Sequence, residues 1–167
     1  MSDPDSCAQQ PRLYGTQRSP FARRIRIALL QLKQNFVWRE LSLQELFPPC
    51  AELLAINPLG LVPVYVSSRG ISLFDSMEIL TFIDSTVGRL WPANEPCRSA
   101  SRMVSVMAQG ILTCAVREFQ GLRVASPIDG TPEDNILMIK RTLDVLEREA
   151  QNPQLFFAEI GPLVHNK

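Results

Sequence analysis

The chain has 167 residues, with 17 basic side chains against 17 acidic ones and a formal net charge of zero. It is 46% hydrophobic and 20% charged, ordinary for a folded globular chain and too balanced for recognition driven by bulk charge, which speaks against a nucleic acid or an anionic membrane as partner. No apolar run approaches the roughly 18 residues of a membrane helix, and the polar start Met1-Ser2-Asp3-Pro4-Asp5-Ser6 lacks a basic-then-apolar export pattern, so a cytoplasmic protein is expected.

Residues 1–11 are polar, carry Pro4 and Pro11, and are expected to form a disordered tail. Arg12-Leu13-Tyr14-Gly15 reads as a short strand closed by glycine. Ser19-Pro20 then reads as a helix cap and first helical residue: the serine oxygen accepts a helix N–H, and proline has none to leave unsatisfied. Phe21, Ile25, Ala28, Leu29 and Leu32 follow at helical spacing, which predicts a helix over 20–34. Phe36 to Leu41 is the next strand. A helical crossover joins it to the first, so the two should run parallel.

Pro48-Pro49 opens a short helix through Glu52, Leu53 and Ile56, stopped by Asn57-Pro58. Val64-Tyr65-Val66 and Ile71-Ser72-Leu73-Phe74 flank a turn containing Gly70 and predict a hairpin. Asp75-Ser76 caps a further helix, with Ile79, Leu80 and Ile83 on its apolar side, ending near Gly88. The order βαβαββα over residues 12–87 predicts a mixed four-stranded sheet with helices on its faces.

Gly88 to Cys97 is rich in proline and predicts a linker. No strand pattern follows. A helix is expected over about 98–123, broken by Pro127 to Gly130. Thr131-Pro132-Glu133-Asp134 caps a second long helix marked by Ile136, Ile139, Leu143, Leu146 and Ala150. Residues 98–167 therefore read as an all-helical second domain.

Two local features bear on function. Pro63 precedes Val64-Tyr65-Val66 as a strand-entry proline. An X-Pro bond is where a cis peptide lies only about 0.5–1 kcal/mol above trans. A cis bond would leave the Val62 backbone facing away from its own sheet, able to pair with a peptide ligand as an added strand; a trans bond would make a plain loop-to-strand turn. The residues alone leave both open. The cysteines, Cys7, Cys50, Cys97 and Cys114, lack CxxC spacing, and His165 is the one histidine, so no metal site and no disulfide framework are expected.

Taken together, this layout resembles the glutathione transferase family. Ser19-Pro20-Phe21-Ala22-Arg23-Arg24 is similar to the Ser/Cys-Pro-Phe-x-x-Arg opening of the first helix in its tau, omega and related bacterial members. Asn57 to Val64 resembles the segment carrying that family's cis-proline, and Phe74-Asp75-Ser76 its acid-serine ligand turn. The resemblance implies a thioredoxin-like N-terminal domain with an all-α C-terminal domain, and a cis bond at Val62-Pro63.

It further implies a transferase that binds glutathione as co-substrate and conjugates its thiolate to a small hydrophobic electrophile, as a homodimer, in detoxification. Ser19 would hydrogen-bond the sulfur, with Phe21 beside it. Leu61, Val62 and Pro63 would line the peptide, Val62 through its backbone, and Asp75 and Ser76 would hold the γ-glutamyl end. Met103, Met107 and Ile111 would contact the electrophile. A serine where omega members carry cysteine favours conjugation over thiol-disulfide exchange, because serine cannot form a mixed disulfide.

Two departures from the family pattern carry an alternative. Leu61 stands where many relatives have Lys or Gln. After Phe156 to Pro162 the chain ends at Leu163-Val164-His165-Asn166-Lys167, without a further capped helix. The alternative is a non-catalytic protein of the stringent starvation type, which associates with RNA polymerase, or a truncated, low-activity transferase.

Overall fold

The computed structural model describes residues 9–88, 90–119 and 132–151. The expected ends of the chain, the break at Pro127 to Gly130 and the Thr131 cap lie wholly or mostly outside those residues. Two compact units follow one another, with the boundary between Leu90 and Trp91. Among the described residues no helix is long and apolar enough to cross a membrane.

The first unit runs β1 (Arg12–Gly15), α1 (Pro20–Gln31), β2 (Val37–Glu40), α2 (Leu43–Leu46), α3 (Ala51–Ile56), β3 (Val64–Val66), β4 (Ser72–Phe74) and α4 (Ser76–Val87). Its four strands form one mixed sheet in the order β2-β1-β3-β4. β1 and β2 are parallel, as the helical crossover requires, and β3 is antiparallel to both β1 and β4.

Successive strand residues point to opposite faces, and both faces are covered. Tyr14 and Val64 join Leu41, Leu46 and Leu53 in one core cluster. Their neighbours Leu13 and Tyr65 pair across the sheet and are also buried, with the Tyr65 ring 6.2 Å from that of Phe82 on α4. Ala22, Ile25 and Leu29 of α1 and Ile79, Leu80 and Ile83 of α4 are buried as well. Each large side chain among them contributes about 1.5–3 kcal/mol of burial. Gly15 is needed where α1 meets the sheet, because a Cβ there would lie 2.7 Å from Ala22 Cβ and 2.8 Å from the Trp38 ring.

Several elements differ from expectation: α3 begins at Ala51, capped by Cys50, rather than opening at Pro48-Pro49, and β4 begins at Ser72 rather than Ile71. The first helix stops at Gln31 rather than near Gln34, because Leu32 caps it and Lys33 turns to φ 53°. The next strand is trimmed to Val37–Glu40. A short extra helix, α2, stands where the sequence pattern suggested none. It is closed by a capping box in which the backbone N–H of Ser42 donates to the Glu45 carboxylate at 2.8 Å. Glu45 and Glu52 also accept from Arg39 at 2.6 and 2.9 Å, tying α2 and α3 to β2.

The second unit holds α5 (Cys97–Phe119) and α6 (Pro132–Gln151). Cys114 Sγ on α5 donates to Asn135 Oδ1 on α6 at 3.6 Å. Trp91, inside the expected linker, is buried, with the Arg98 and Arg102 guanidinium groups 5.9 and 5.7 Å from its ring.

Candidate functional site

The sheet register gathers three stretches at one end of the sheet. Tyr14 pairs with Val64, so the exit of β1 lies beside the entry of β3. Val64 also pairs with Phe74, so the exit of β4 lies there too. The loop leading to Ser19, the Val62-Pro63 pair and the Asp75-Ser76 turn therefore emerge from the same end.

Ser19 caps α1. Its Oγ accepts from the Ala22 N–H at 3.2 Å, in extended backbone with φ −74° and ψ 115°. That bond uses one lone pair. A serine hydroxyl has two lone pairs and a proton, so the cap leaves the O–H able to donate. The positive end of the α1 macrodipole lies at the same place. Phe21, second in α1, is half-buried.

The loop before β3 is braced from within. Asn57 is 1% exposed. Its Nδ2 donates to the Leu61 carbonyl at 2.8 Å, and its Oδ1 accepts from the Leu59 N–H at 3.0 Å. Gly60 turns at φ 64°, and a Cβ on it would lie 2.5 Å from Pro49 Cγ, so the turn tolerates only glycine. The Val62-Pro63 bond is cis. Among the described residues no hydrogen bond engages the Val62 N–H or carbonyl. Leu61 is 61% exposed, Val62 half-buried and Pro63 buried.

Asp75 caps α4 and accepts from the Met77 N–H at 2.7 Å, with φ 65°. A non-glycine residue in that region stores about 1–3 kcal/mol, and such strain clusters at functional sites. Ser76 is 2% exposed. Its oxygen accepts from Arg24 Nη1 at 3.4 Å, and Arg24 Nη2 donates to Met77 Sδ at 3.0 Å. Burial lowers the pKa of Arg24, and the Asp75 charge opposes that shift.

The family resemblance assigns Arg24 no role of its own; its signal is its place as the arginine that closes the Ser19-Pro20-Phe21-x-x-Arg pattern. Met103, Met107 and Ile111 follow one another at four-residue intervals and share one face of α5, in the second unit. Met103 is 49% exposed and the other two are half-buried.

Residues 13–91 match the model of the glutathione S-transferase N-terminal domain. The chain is 34% identical over 147 residues to an uncharacterized GST-like protein, YibF, of Escherichia coli K12, covering 81% of this chain and 68% of that one. The protein belongs to the glutathione S-transferase family. It is also 30% identical over 123 residues to glutathione S-transferase 1 of Dianthus caryophyllus, covering 72% of this chain and 53% of that protein, so it spans about half of the plant enzyme's length. Among solved structures, a glutathione transferase family member from Pseudomonas fluorescens Pf-5, with bound glutathione, aligns with a TM-score of 0.73 at 26% identity. The alignment covers 89% of this chain and 78% of that one. A glutathione S-transferase from Methylobacillus flagellatus KT shares the fold with the same TM-score at 23% identity, over 86% of this chain and 71% of that one. The first unit is thus the family's thioredoxin-like domain, and a helical region follows it.

Proposed function

We propose that the protein binds glutathione at the gathered end of the sheet and adds its thiolate to small apolar electrophiles, in the manner of the tau, omega and related bacterial classes. The observation that carries this is the convergence of Ser19, the cis Val62-Pro63 pair and Asp75-Ser76 at one end of the sheet. Ser19 donates its hydroxyl proton to the sulfur. A free thiol titrates near 8.5, and a shift of about two units, worth about 2.7 kcal/mol, makes the thiolate dominant at neutral pH. The Val62 backbone pairs with the cysteinyl residue as an added strand, between Leu61 and Pro63. The start of α4, through Asp75 and Ser76, holds the γ-glutamyl end: the N–H groups suit its carboxylate, and Asp75 suits its ammonium. Phe21 packs beside the thiol. A cytoplasmic homodimer is part of the same proposal.

Calorimetric titration with glutathione, followed by turnover of a generic electrophile, tests this. Micromolar to low-millimolar binding is expected, together with a turnover that Ser19→Ala lowers by about 10- to 100-fold near neutral pH. Unchanged turnover in Ser19→Ala would remove Ser19 from the chemistry. An absence of glutathione binding would favour a non-catalytic relative of the fold.

A further inference from the structure

Charge is unevenly laid out in the first unit. From Arg12 to Arg39 every charged side chain is basic, and the next acid is Glu40. Most of these cations are engaged or lie elsewhere. Arg39 pairs with Glu45 and Glu52, Arg26 stacks 4.7 Å from the centre of the Trp38 ring, and Arg24 donates to Ser76 and Met77. Arg12 opens β1 at the opposite end of the sheet, and Lys33 follows the end of α1. Arg18 and Arg23 differ. Both are exposed, and among the described residues neither guanidinium has a hydrogen bond, an ion pair or an aromatic ring as partner.

Along the chain both flank Ser19. Arg18 precedes it, at the corner of a turn that the Ser19 N–H closes on the Thr16 carbonyl at 3.0 Å. Arg23 stands one turn into α1, its own N–H bonded to the Ser19 carbonyl at 3.0 Å. No acid lies in the first turn of α1, where helix polarity favours one. Glu40 reaches the same loop, but there it accepts from Gln17 Nε2 at 3.0 Å. Two such cations beside the sulfur position are ill suited to a purely apolar electrophile, which would strip water from them and return no hydrogen bond. A thiolate is a single acceptor atom, already met by the Ser19 donor. A carboxylate offers two coplanar oxygens, the shape that a guanidinium fork binds at two points. It also needs the help, because an anionic electrophile is repelled by the thiolate that attacks it.

We propose that Arg18, with Arg23 one turn on, selects electrophiles that carry a carboxylate close to the reacting carbon. This rests on the glutathione reading above and narrows its substrate class: the reacting part stays apolar, and the acid group faces the two arginines. They bind and orient the electrophile and take no part in the bond changes. With a chloroarene the sulfur–carbon bond forms, the carbon–chlorine bond breaks, and chloride leaves with the electron pair. The thiol proton passes to solvent when the thiolate forms.

The test measures kcat/KM for chlorodinitrobenzoate, with its carboxylate para to the chlorine, and for its neutral methyl ester, each divided by its uncatalysed rate with glutathione. The parent should favour the acid. Arg18→Gln should lower the acid-to-ester ratio by about 3- to 10-fold, the scale of an exposed charge pair with good geometry. Arg18→Glu, which reverses the charge, should lower it by more than about tenfold. Arg18→Lys keeps the charge without the planar fork and should fall between the parent and Arg18→Gln. Arg69→Gln removes the same charge from the exposed hairpin turn at the other end of the sheet and should leave the ratio where it is. A parent that favours the ester, or a ratio unchanged in Arg18→Gln, overturns the proposal. So does an equal fall for acid and ester with a raised KM for glutathione, which assigns Arg18 to glutathione itself. A fall in Arg69→Gln as large as that in Arg18→Gln also overturns it, because the effect is then one of net charge. A parent that turns over neither compound overturns the conjugation reading, and this inference with it.

Discussion

Replacing Asn57 with alanine isolates the brace behind the ligand loop. The side chain is buried and makes two hydrogen bonds to backbone within four residues, to the Leu61 carbonyl at 2.8 Å and from the Leu59 N–H at 3.0 Å. A net hydrogen bond contributes about 0.5–1.5 kcal/mol, and a buried partner left unsatisfied costs about 1–3 kcal/mol. Leu59 and Leu61 are themselves exposed, so water can reach part of the freed backbone and the upper limit is not reached. A loss of about 2–3 kcal/mol follows, or about 4–12 °C in melting temperature for a chain of this size. Thermal and urea unfolding measure it, and calorimetry with glutathione reads the second consequence, weaker binding through a misplaced Leu61-Val62 backbone. Asn57→Asp serves as a control: it keeps the acceptor for Leu59 but turns a buried carboxylate toward the Leu61 carbonyl, and should be at least as destabilised at neutral pH. A loss below about 0.5 kcal/mol in Asn57→Ala would show that the loop holds its shape without the brace. A normal glutathione affinity in a clearly destabilised variant would detach the brace from the site.

Gly60→Ala meets both the φ of 64° and Pro49 Cγ at 2.5 Å, whereas Gly70→Ala, at φ 76°, meets nothing within 4 Å. The left-handed conformation costs about 1–2 kcal/mol in each, and overpacking adds about 1–3 kcal/mol at Gly60 alone. The urea midpoint of Gly60→Ala should therefore fall clearly below that of Gly70→Ala, and equal midpoints would contradict the close approach. The Glu45 carboxyl is held at about 2, against an ordinary 4.5, by the Ser42 N–H first and then by Arg39 and the Ser42 hydroxyl. Its folded pKa is depressed, so its contribution is complete above about pH 4.5 and is lost as pH falls toward 2. The gap in melting temperature between the parent and Glu45→Gln should be widest near pH 6 and close on acidification; a gap independent of pH would refute the assignment.

How much of this was legible beforehand depends on the range of the interaction involved. Helix starts at Ser19-Pro20 and Asp75-Ser76, the Gly70 hairpin and the Asn57-Pro58 stop are local, carried by caps, fixed φ and missing donors within a few residues, and they appear where the sequence puts them. The end of α1 was overrun by about three residues, because the apolar stripe continues to Leu32 while the cap is made by a backbone turn at Lys33. The helix α2 was missed because four residues are too few to show a period. Its signal was the Ser42-to-Glu45 capping box.

By itself, the sequence determined the order of the elements apart from α2, the caps that begin α1 and α4, and, through motif resemblance, the family. Strand order was beyond it, since pairing is chosen by which apolar faces can be covered together, a property of the whole sheet. The tertiary structure decided that Ser19, Val62-Pro63 and Asp75-Ser76 share one sheet end, through the pairs Tyr14 with Val64 and Val64 with Phe74. It also decided the partners of Arg24, which lie 52 and 53 residues along the chain. A charge at that separation is read only when the fold brings its neighbours within reach, because Coulomb and hydrogen-bond energies depend on distance in space.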